Sequence, residues 1–418
     1  MQGIFNLTKA SIGAGMLFLP WNMHRMGLFA GIGSIIFAGF LCSTTLHYLA
    51  RIGANTGADN YFKLGRLAYG SVGEMAAVAA LLFNLLGGLI NYANFAGDYL
   101  SSSLVFLFFS KSAETGYIPW YISPSFLKIA VAGLGIFPLA CLKDMSKLAR
   151  TSLAGLLCMG YILLLTVWDA VFDKTEYLPP IIAPRISTQF FSAFGNIIFA
   201  FVNHFTIVAI VPVMIDPSPQ SRGVMITSSN MTVLVVYLSA AIAGYLHFGS
   251  SIDPSRPDIL NSPLEMSFSY AIAKLTFASV MVFSYPLICD PARSALDQLI
   301  TRLVLFRSPE RQASWSRYGQ LRHYFETVLL VALPTFIAVT AANYAALFLD
   351  IFSSLCGSLL VFIFPSLYFL KLAQPKMYNF KIHTWERVLI FVNMFVGISV
   401  AIIGTFDSIW TILTLLQK

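Results

Sequence analysis

The sequence has few charged residues. Only 11% of its 418 residues are Asp, Glu, Lys or Arg, whereas a soluble domain carries roughly 25%. Hydrophobic residues make up 57%, and the mean hydropathy is +0.75. We therefore exclude a soluble globular protein and predict a multi-pass integral membrane protein embedded in the lipid bilayer. The net charge of +7 does not indicate a nucleic-acid partner, because the basic residues lie in short loops between apolar runs.

Cysteine is also scarce. The five cysteines fit neither an outer-loop disulfide nor a zinc-binding spacing, so we predict no metal site and no cofactor. The apolar runs contain no nucleophile–base pair and no phosphate-binding loop, which argues against a membrane enzyme. The first run lacks a signal-peptide cleavage region and is interpreted as a retained span. The chain begins almost directly on it, which is compatible with a missing cytosolic N-terminal tail.

Apolar runs of about 20 residues, the length of a membrane-spanning helix, recur along the whole chain. We predict one all-α transmembrane domain with about eleven membrane-spanning helices. They lie near residues 4–26, 28–50, 75–102, 126–142, 151–171, 190–215, 226–248, 268–290, 324–346, 350–371 and 386–413. A short helix along the cytosolic face is expected within residues 52–73. Seventeen loop Lys and Arg residues, Arg222 among them, lie on one side and seven, including Arg25 and Lys128, on the other. This distribution predicts a cytosolic N-terminus and an extracellular or lumenal C-terminus.

The most informative segment, NLTKASIGAGMLFLP at residues 6–20, lies in the first span. Gly13 and Gly15 interrupt an apolar helix, and lipid cannot satisfy the backbone groups that such a break exposes. In secondary transporters a broken helix of this kind forms the substrate and ion site. Lys9 precedes the break by one turn. Either its ammonium occupies the place where another transporter holds a sodium ion, or it extends to the cytosolic interface.

Other polar residues within spans are candidates because such residues are costly in a membrane. Asn203 and His204 lie in the middle of the sixth span, where an inverted five-plus-five repeat would place a second break. His204 either carries or senses a proton or is a neutral histidine bonded to a neighbouring helix. Ser279 and Ser284 accompany Pro286 in the eighth span, where freed carbonyls and hydroxyls suit a cation.

The third span contains two further polar residues, Asn91 and Asp98. The Asn91 amide is a candidate to line a cavity, and a helix–helix hydrogen bond is the alternative. Asp98 is expected either to pair with Lys274 or line an outer vestibule, or to mark the outer membrane boundary.

Six segments, in order along the chain, resemble the amino acid/auxin permease superfamily, which includes neutral and proton-coupled amino acid transporters. They are residues 6–20, 138–152 (PLACLKDMSKLARTS), 197–204 (IIFAFVNH), 244–260 (GYLHFGSSIDPSRPDIL), 274–293 (KLTFASVMVFSYPLICDPAR) and 356–372 (CGSLLVFIFPSLYFLKL). The resemblance implies a LeuT-type fold with a 5+5 inverted repeat, broken helices 1 and 6 and an extra helix 11. Repeat one would span about 4–171, repeat two about 190–371 and the extra helix about 386–413.

The resemblance also implies an amino acid held at the middle of the membrane. Its carboxylate would meet backbone N–H groups around Ala14 and Gly15, and its amino group would meet carbonyls near residues 199–202. The implied substrate-binding residues are Ser11, Gly13, Ala14, Gly15, Asn91, Phe199, Phe201 and Asn203. The candidates for ion coupling are Lys9, Ser279, Ser284 and His204.

Lys9 is decisive for the expected coupling ion. Sodium-coupled members that resemble this chain carry asparagine at this place, and proton-coupled members often carry lysine. A fixed ammonium repels sodium, so we expect a Na⁺-independent, H⁺-coupled transporter of neutral amino acids. It is expected to be a monomer in the plasma membrane or in a lysosomal or vacuolar membrane. The alternatives are a Na⁺-coupled symporter, for which Ser284 keeps a case, and an amino acid sensor with little flux.

Overall fold

The computed structural model describes residues 2–109, 118–142, 149–172, 182–249, 252, 257–261, 266–303, 319–378 and 380–417. In these ranges the regular elements are helices and no β-strand is found, so the predicted all-α class is confirmed. Nine helices of the described chain are long and apolar enough to cross a membrane. Several loop cations counted for orientation lie outside the described residues, namely Lys111, Lys143, Lys147, Lys174, Arg256, Arg307, Arg311, Arg317 and Lys418.

Thirteen helices follow one another along the described residues. They are α1 (Gln2–Ser11), α2 (Leu19–Met26), α3 (Leu28–Thr56), α4 (Tyr61–Phe108), α5 (Pro124–Ala140), α6 (Ala149–Phe172), α7 (Thr188–Ala200), α8 (His204–Ile210), α9 (Pro219–Phe248), α10 (Phe268–Leu303), α11 (Gly319–Thr340), α12 (Ala346–Leu372) and α13 (Thr384–Leu415). Short 3₁₀ turns lie at Ala14–Phe18, Trp120–Ile122, Val211–Val213, Ile259–Asn261 and Ala342–Tyr344. The nine long helices are α3, α4, α6, α7 with α8, and α9 to α13.

Two glycines shape the chain between α3 and the long part of α4. Gly57 ends α3 with a φ of 65°, and its N–H donates to the Gly53 carbonyl at 2.9 Å. Gly70, with a φ of 63°, bends α4. This left-handed conformation is one that glycine adopts without a steric penalty. The bend separates a short helical arm, residues 61–69, from the apolar remainder, which continues to Phe108, beyond the predicted boundary at residue 102.

The described chain divides into two compact units. The first contains Met1–Ala80, Thr166–Ile259 and Asp350–Lys418. Within it, α3 packs along α9, and α7 packs against π-helical turns of α12 and α13. A Cβ atom added to Gly195 or Gly404 would lie 2.5 Å or 2.7 Å from the Ser354 hydroxyl oxygen. Three helices therefore approach so closely at Ser354 that two of them need glycine there.

The second unit contains Leu81–Leu165 and Leu260–Leu349. In it, α10 packs against α11 and against the end of α5. The buried Tyr285 hydroxyl donates to the Leu330 carbonyl at 2.8 Å. Arg293 donates to the Ala140 carbonyl at 3.1 Å and to the Thr327 hydroxyl at 2.9 Å. These polar bonds join α5, α10 and α11.

Candidate functional site

The first helix break lies between α1 and the 3₁₀ turn that precedes α2. α1 ends at Ser11, and helical structure resumes at Ala14. The N–H of Met16 donates to the Gly13 carbonyl at 3.1 Å. Among the described residues, no acceptor is found for the N–H groups of Gly13, Ala14 and Gly15. Three successive unpaired donors at the start of a helical segment provide a favourable place for an anion.

The second break separates α7 from α8 without a glycine. α7 ends at Ala200, and α8 begins at His204. The N–H groups of Phe201 and Val202 bond back to the last turn of α7, at 3.0 Å each. Phe201 and Asn203 are almost fully buried. The polar interruption predicted at Asn203 and His204 is therefore a break in the helix, located at residues 201–203.

Tyr237 of α9 holds the ends of both broken helices. Its hydroxyl oxygen lies 2.6 Å from the Ser11 carbonyl oxygen and 2.7 Å from the Ala200 carbonyl oxygen. A hydroxyl has one hydrogen, so it donates to only one of these carbonyls at a time. The side chain is fully buried. Tyr237 was missed in the sequence because a single tyrosine in an apolar helix is an ordinary core residue.

The two breaks also touch each other directly. Asn203 donates from Nδ2 to the Ser11 hydroxyl at 2.7 Å. A Cβ atom on Gly15 would lie 3.0 Å from the Cα of Ala200, closer than ordinary van der Waals contact. The second amide atom, Asn203 Oδ1, is buried and has no partner among the described residues. The breaks thus combine unpaired donors on one side with an unpaired acceptor on the other.

The aromatic candidates in α7 and the second break differ in position. Phe201 is 1% exposed and packs edge-to-face on Tyr237, with ring centroids 5.0 Å apart. Phe199 is partly exposed. Phe201 therefore supports the break from the core side, and Phe199 is the aromatic side chain that retains accessible surface.

Lys9 lies in the last turn of α1, one turn before the break, and is partly buried. A cation in this position faces the negative end of the helix dipole. Its neighbour Thr8 is buried and donates to the Ser229 hydroxyl of α9 at 2.9 Å. The end of α1 therefore presents a lysine side chain beside the break and is attached to α9 through Thr8.

His204 is fully buried at the start of α8. Its Nε2 lies 2.9 Å from the hydroxyl oxygen of Thr45 on α3. This contact agrees with the alternative considered from the sequence, a histidine bonded to a neighbouring helix.

Three candidates lie in the second unit. Asn91 is buried, and its Nδ2 donates to the Gly87 carbonyl of its own helix at 2.9 Å. Ser279 is exposed, and its hydroxyl donates to the Leu275 carbonyl at 3.0 Å. Ser284 is partly exposed, and α10 remains helical through the proline that follows it. Ser279 and Ser284 do not form a hydrogen bond with each other.

Asp98 has a different ion-pair partner from the one proposed from the sequence. Its carboxylate lies 2.9 Å from the Lys128 ammonium, and both side chains are at least nine-tenths buried. Lys128 was counted as a loop cation, but it belongs to α5. Its ammonium also donates a hydrogen bond to Asn94 of α4. The Lys274 ammonium lies 5.9 Å from the ring centroid of Tyr99. A lysine near the start of a helix can thus be buried and paired, which charge counting does not reveal.

A buried polar cluster surrounds Arg25 at the end of α2. Its guanidinium lies 3.0 Å from the Asp350 carboxylate and 3.8 Å from that of Asp407. Ser192 accepts a hydrogen bond from Arg25 and donates to Asp407 at 2.8 Å. Asn196 donates to Asp350. This Arg25 cluster joins α2, α7, α12 and α13, and the sequence analysis missed it because Arg25 was counted as a loop cation.

A cavity of about 620 Å³ lies between α1, α8 and the start of α9. Its lining includes Gly3, Ile4 and Asn6 of α1 together with Ile210 and Met225. This cavity therefore adjoins the N-terminal half of α1, away from the first break.

The chain is similar to known proteins over most of its length. A family model described as transmembrane amino acid transporter protein matches residues 1–410. The zebrafish (Danio rerio) sodium-coupled neutral amino acid symporter 2 is 24% identical over 402 residues, which cover 90% of this chain and 76% of that protein. The human (Homo sapiens) sodium-coupled neutral amino acid transporter 4 is 22% identical over 446 residues, which cover 90% and 78%. The match extends over nearly the whole sequence, so the chain belongs to the transmembrane amino acid transporter family, the amino acid/auxin permease family that its motifs resemble.

Proposed function

We propose that the chain is a secondary active transporter, not an enzyme, and that it moves neutral amino acids across a membrane by alternating access. The observation that carries this proposal is that the two helix breaks contact each other, and that one of them offers hydrogen-bond donors while the other offers an acceptor. Within the described residues, the N–H groups of residues 13–15 have no acceptor, and the buried Asn203 Oδ1 has no donor. A zwitterion presents the matching groups, an anionic carboxylate and a cationic ammonium.

In this proposal the substrate carboxylate accepts hydrogen bonds from the N–H groups of Gly13, Ala14 and Gly15. The ammonium donates to Asn203 Oδ1 and to carbonyls near residues 199–202. Phe199 contacts the substrate side chain. The two broken segments, residues 2–26 and 188–213, contain no Asp or Glu. A cationic side chain would find no carboxylate there, which supports neutral substrates.

We propose eleven membrane crossings arranged as two inverted repeats of five, with α13 as the extra helix. To the nine long helices we add the broken segment α1–α2 and the 17-residue helix α5, which at 1.5 Å per residue is about 25 Å long. Both breaks fall in the first segment of a repeat. The first unit contains segments one and two of each repeat, and the second contains segments three and four. Segments one to four are thus sorted in pairs, which supports the repeat, whereas the fifth segments are not, because most of α6 lies in the second unit and most of α12 in the first.

The proposed orientation places the N-terminus in the cytosol. Arg51 and Arg222 lie near helix ends that this orientation assigns to the cytosolic side. The positive-inside rule favours that side for basic residues. One chain contains both breaks, so we propose that a monomer transports.

We propose H⁺ coupling without Na⁺. Lys9 supports this because its ammonium places a cation at the negative end of α1, next to the break. A sodium ion bound beside it would be repelled, by about 4 kcal/mol at 4 Å with an effective dielectric constant of 20.

A sodium-coupled symporter is the second candidate, because both relatives described above are named sodium-coupled. The two candidates differ in one measurable respect. The first requires a proton gradient and no sodium, and the second requires sodium.

Counterflow in proteoliposomes tests the proposal. Vesicles containing the purified chain are loaded with one of the twenty amino acids, and uptake of the labelled form is followed with and without sodium and a pH gradient. We expect uptake of neutral amino acids, stimulated by a pH gradient and unaffected by replacing sodium with choline.

Uptake that depends on sodium and ignores pH would contradict proton coupling and favour the second candidate. Tight binding without flux for all twenty amino acids would contradict transport itself.

A further inference from the structure

A second pocket, of about 310 Å³, lies in the first unit where α3 ends and where α9 and α13 begin. Its lining includes three basic side chains, His47, Arg51 and Arg222, together with Glu386 and Trp385. None of these residues belongs to the helix breaks. The pocket, with its basic lining, is therefore separate from the proposed substrate site.

Arg51 is bound by protein groups. Its Nη1 lies 3.0 Å from a carboxylate oxygen of Glu386, and its Nη2 donates to the Lys381 carbonyl. Its guanidinium carbon lies 5.4 Å and 5.2 Å from the ring centroids of Phe369 and Phe380. The Glu386 charge in the pocket is thus neutralised by Arg51 and is not available to the other cations.

Arg222 carries a charge that no carboxylate of the described residues balances. It is only 9% exposed. Its Nη1 donates to the Ala50 carbonyl at 2.8 Å and its Nε to the Ser218 carbonyl at 3.4 Å, and no acceptor is found for Nη2 in the described chain. Asp216, the acidic residue nearest in sequence, accepts hydrogen bonds from neighbouring serines instead. A buried guanidinium without a counter-charge is costly, so an external anion would stabilise it.

His47 lies beside Arg222 in the same pocket. Its ring packs near Gly223, and no hydrogen-bond partner is found for it among the described residues. A ring nitrogen without a protein partner is able to donate to an anion. The pocket is also lined by the first residues of two long helices, Pro219 of α9 and Trp385 of α13, whose N-terminal dipoles favour negative charge.

We propose that this pocket binds the phosphate group of an anionic phospholipid. Phosphate oxygens accept hydrogen bonds from guanidinium and imidazole groups and supply the negative charge that Arg222 lacks. The Trp385 side chain is 60% exposed at the pocket edge. Tryptophan is enriched at the membrane–water interface, where lipid headgroups lie, and basic pockets between transmembrane helices bind such headgroups. A lipid is therefore favoured over free phosphate.

The test uses the purified full chain in dodecyl maltoside micelles, titrated with dioctanoyl phosphatidic acid while tryptophan fluorescence follows thermal unfolding. Arg222→Gln removes the uncompensated charge. Arg387→Gln is the matched control, because Arg387 is exposed, lies on α13 next to Glu386 and does not line the pocket. We expect the lipid to bind Arg222→Gln about tenfold more weakly or worse and to bind the control like the natural chain.

Equal lipid affinity in Arg222→Gln and the natural chain would overturn the proposal, as would equal binding of dioctanoyl phosphatidylcholine. Equal weakening by Arg387→Gln would also overturn it, because diffuse surface charge would then explain binding. Titration with millimolar inorganic phosphate distinguishes a phospholipid headgroup from free phosphate as the natural ligand. If it displaces the lipid and reproduces the thermal shift, the phosphate chemistry stands and the lipid is overturned as its source. If Arg222→Gln does not fold, His47→Gln replaces it, with weakened lipid binding again expected and unchanged binding contradicting the proposal.

Discussion

Replacing Tyr237 with phenylalanine removes a single oxygen atom from the point where α1 and α7 end. That oxygen lies 2.6 Å from the Ser11 carbonyl oxygen and 2.7 Å from the Ala200 carbonyl oxygen. The ring that remains still packs edge-to-face on Phe201. The substitution therefore isolates the hydroxyl that holds the two breaks together.

The expected loss of stability follows from hydrogen-bond energetics. One hydrogen serves one carbonyl at a time, so one bond is lost and a buried carbonyl is left without its donor. These effects together cost about 2 kcal/mol of unfolding free energy. Since the positions of both breaks also become less fixed, we expect the substrate KM to rise about tenfold, equivalent to ~1.4 kcal/mol of binding energy.

Denaturant unfolding in lipid bicelles and counterflow in proteoliposomes measure these two effects. Tyr285→Phe is the control, because its buried hydroxyl donates to one carbonyl, that of Leu330, in the second unit. We expect the control to lose a similar amount of stability, about 2 kcal/mol, because it too loses one bond to a buried carbonyl, but its KM should be unchanged. Unchanged stability and unchanged KM in Tyr237→Phe would refute the role assigned to this hydroxyl.

Three further predictions test other parts of the account. Gly15→Ala places a methyl group 3.0 Å from Ala200, so we expect a loss of about 1–3 kcal/mol of stability and weaker transport. The control Gly33→Ala, which has nothing within 4 Å of the added methyl group, should fold and transport normally. Equal effects of the two substitutions would contradict the close approach of Gly15 to Ala200. Lys9→Asn should abolish proton-driven uptake or make it sodium-dependent, and unchanged coupling in the flux assay would remove Lys9 from the mechanism. Hydrogen bonds from nearby serines hold the pKa of the exposed Asp216 carboxyl below its ordinary value of 3.8. Because its folded pKa is depressed, its stabilisation is present above that value and disappears as the pH falls through the folded pKa. Asp216→Asn should therefore lower the melting temperature at neutral pH but not in strong acid, and a difference that is the same at both pH values would contradict this.

The first break was predictable because its cause is local. Gly13 and Gly15 in an apolar run weaken the helix directly, and α1 ends just before them. The second break has no such cause. Asn203 and His204 were suspected for their polarity, but the helix stops there in a tertiary setting that includes Tyr237 on α9 and the Ser11 hydroxyl, which no pattern within the sixth span reveals.

Charge counting predicts the sides of the membrane but says nothing about burial. Arg25 and Lys128 were assigned to outer loops, yet both lie in helices and form buried ion pairs. Their partners, such as Asp350, are far away in sequence. Arg222 was likewise counted as a loop cation, but its side chain is buried and lines the pocket that we propose binds a phospholipid phosphate. Long basic side chains near helix ends can turn inward or outward, and only packing decides between the two.

The central claim is that the two helix breaks bind an amino acid between them. A structure of the chain saturated with a transported neutral amino acid, determined by electron cryomicroscopy, tests it most directly. The account predicts the carboxylate within about 3 Å of the backbone nitrogens of Gly13, Ala14 or Gly15, with the ammonium at the second break near Asn203. An amino acid bound elsewhere, with these nitrogens unoccupied, would contradict it.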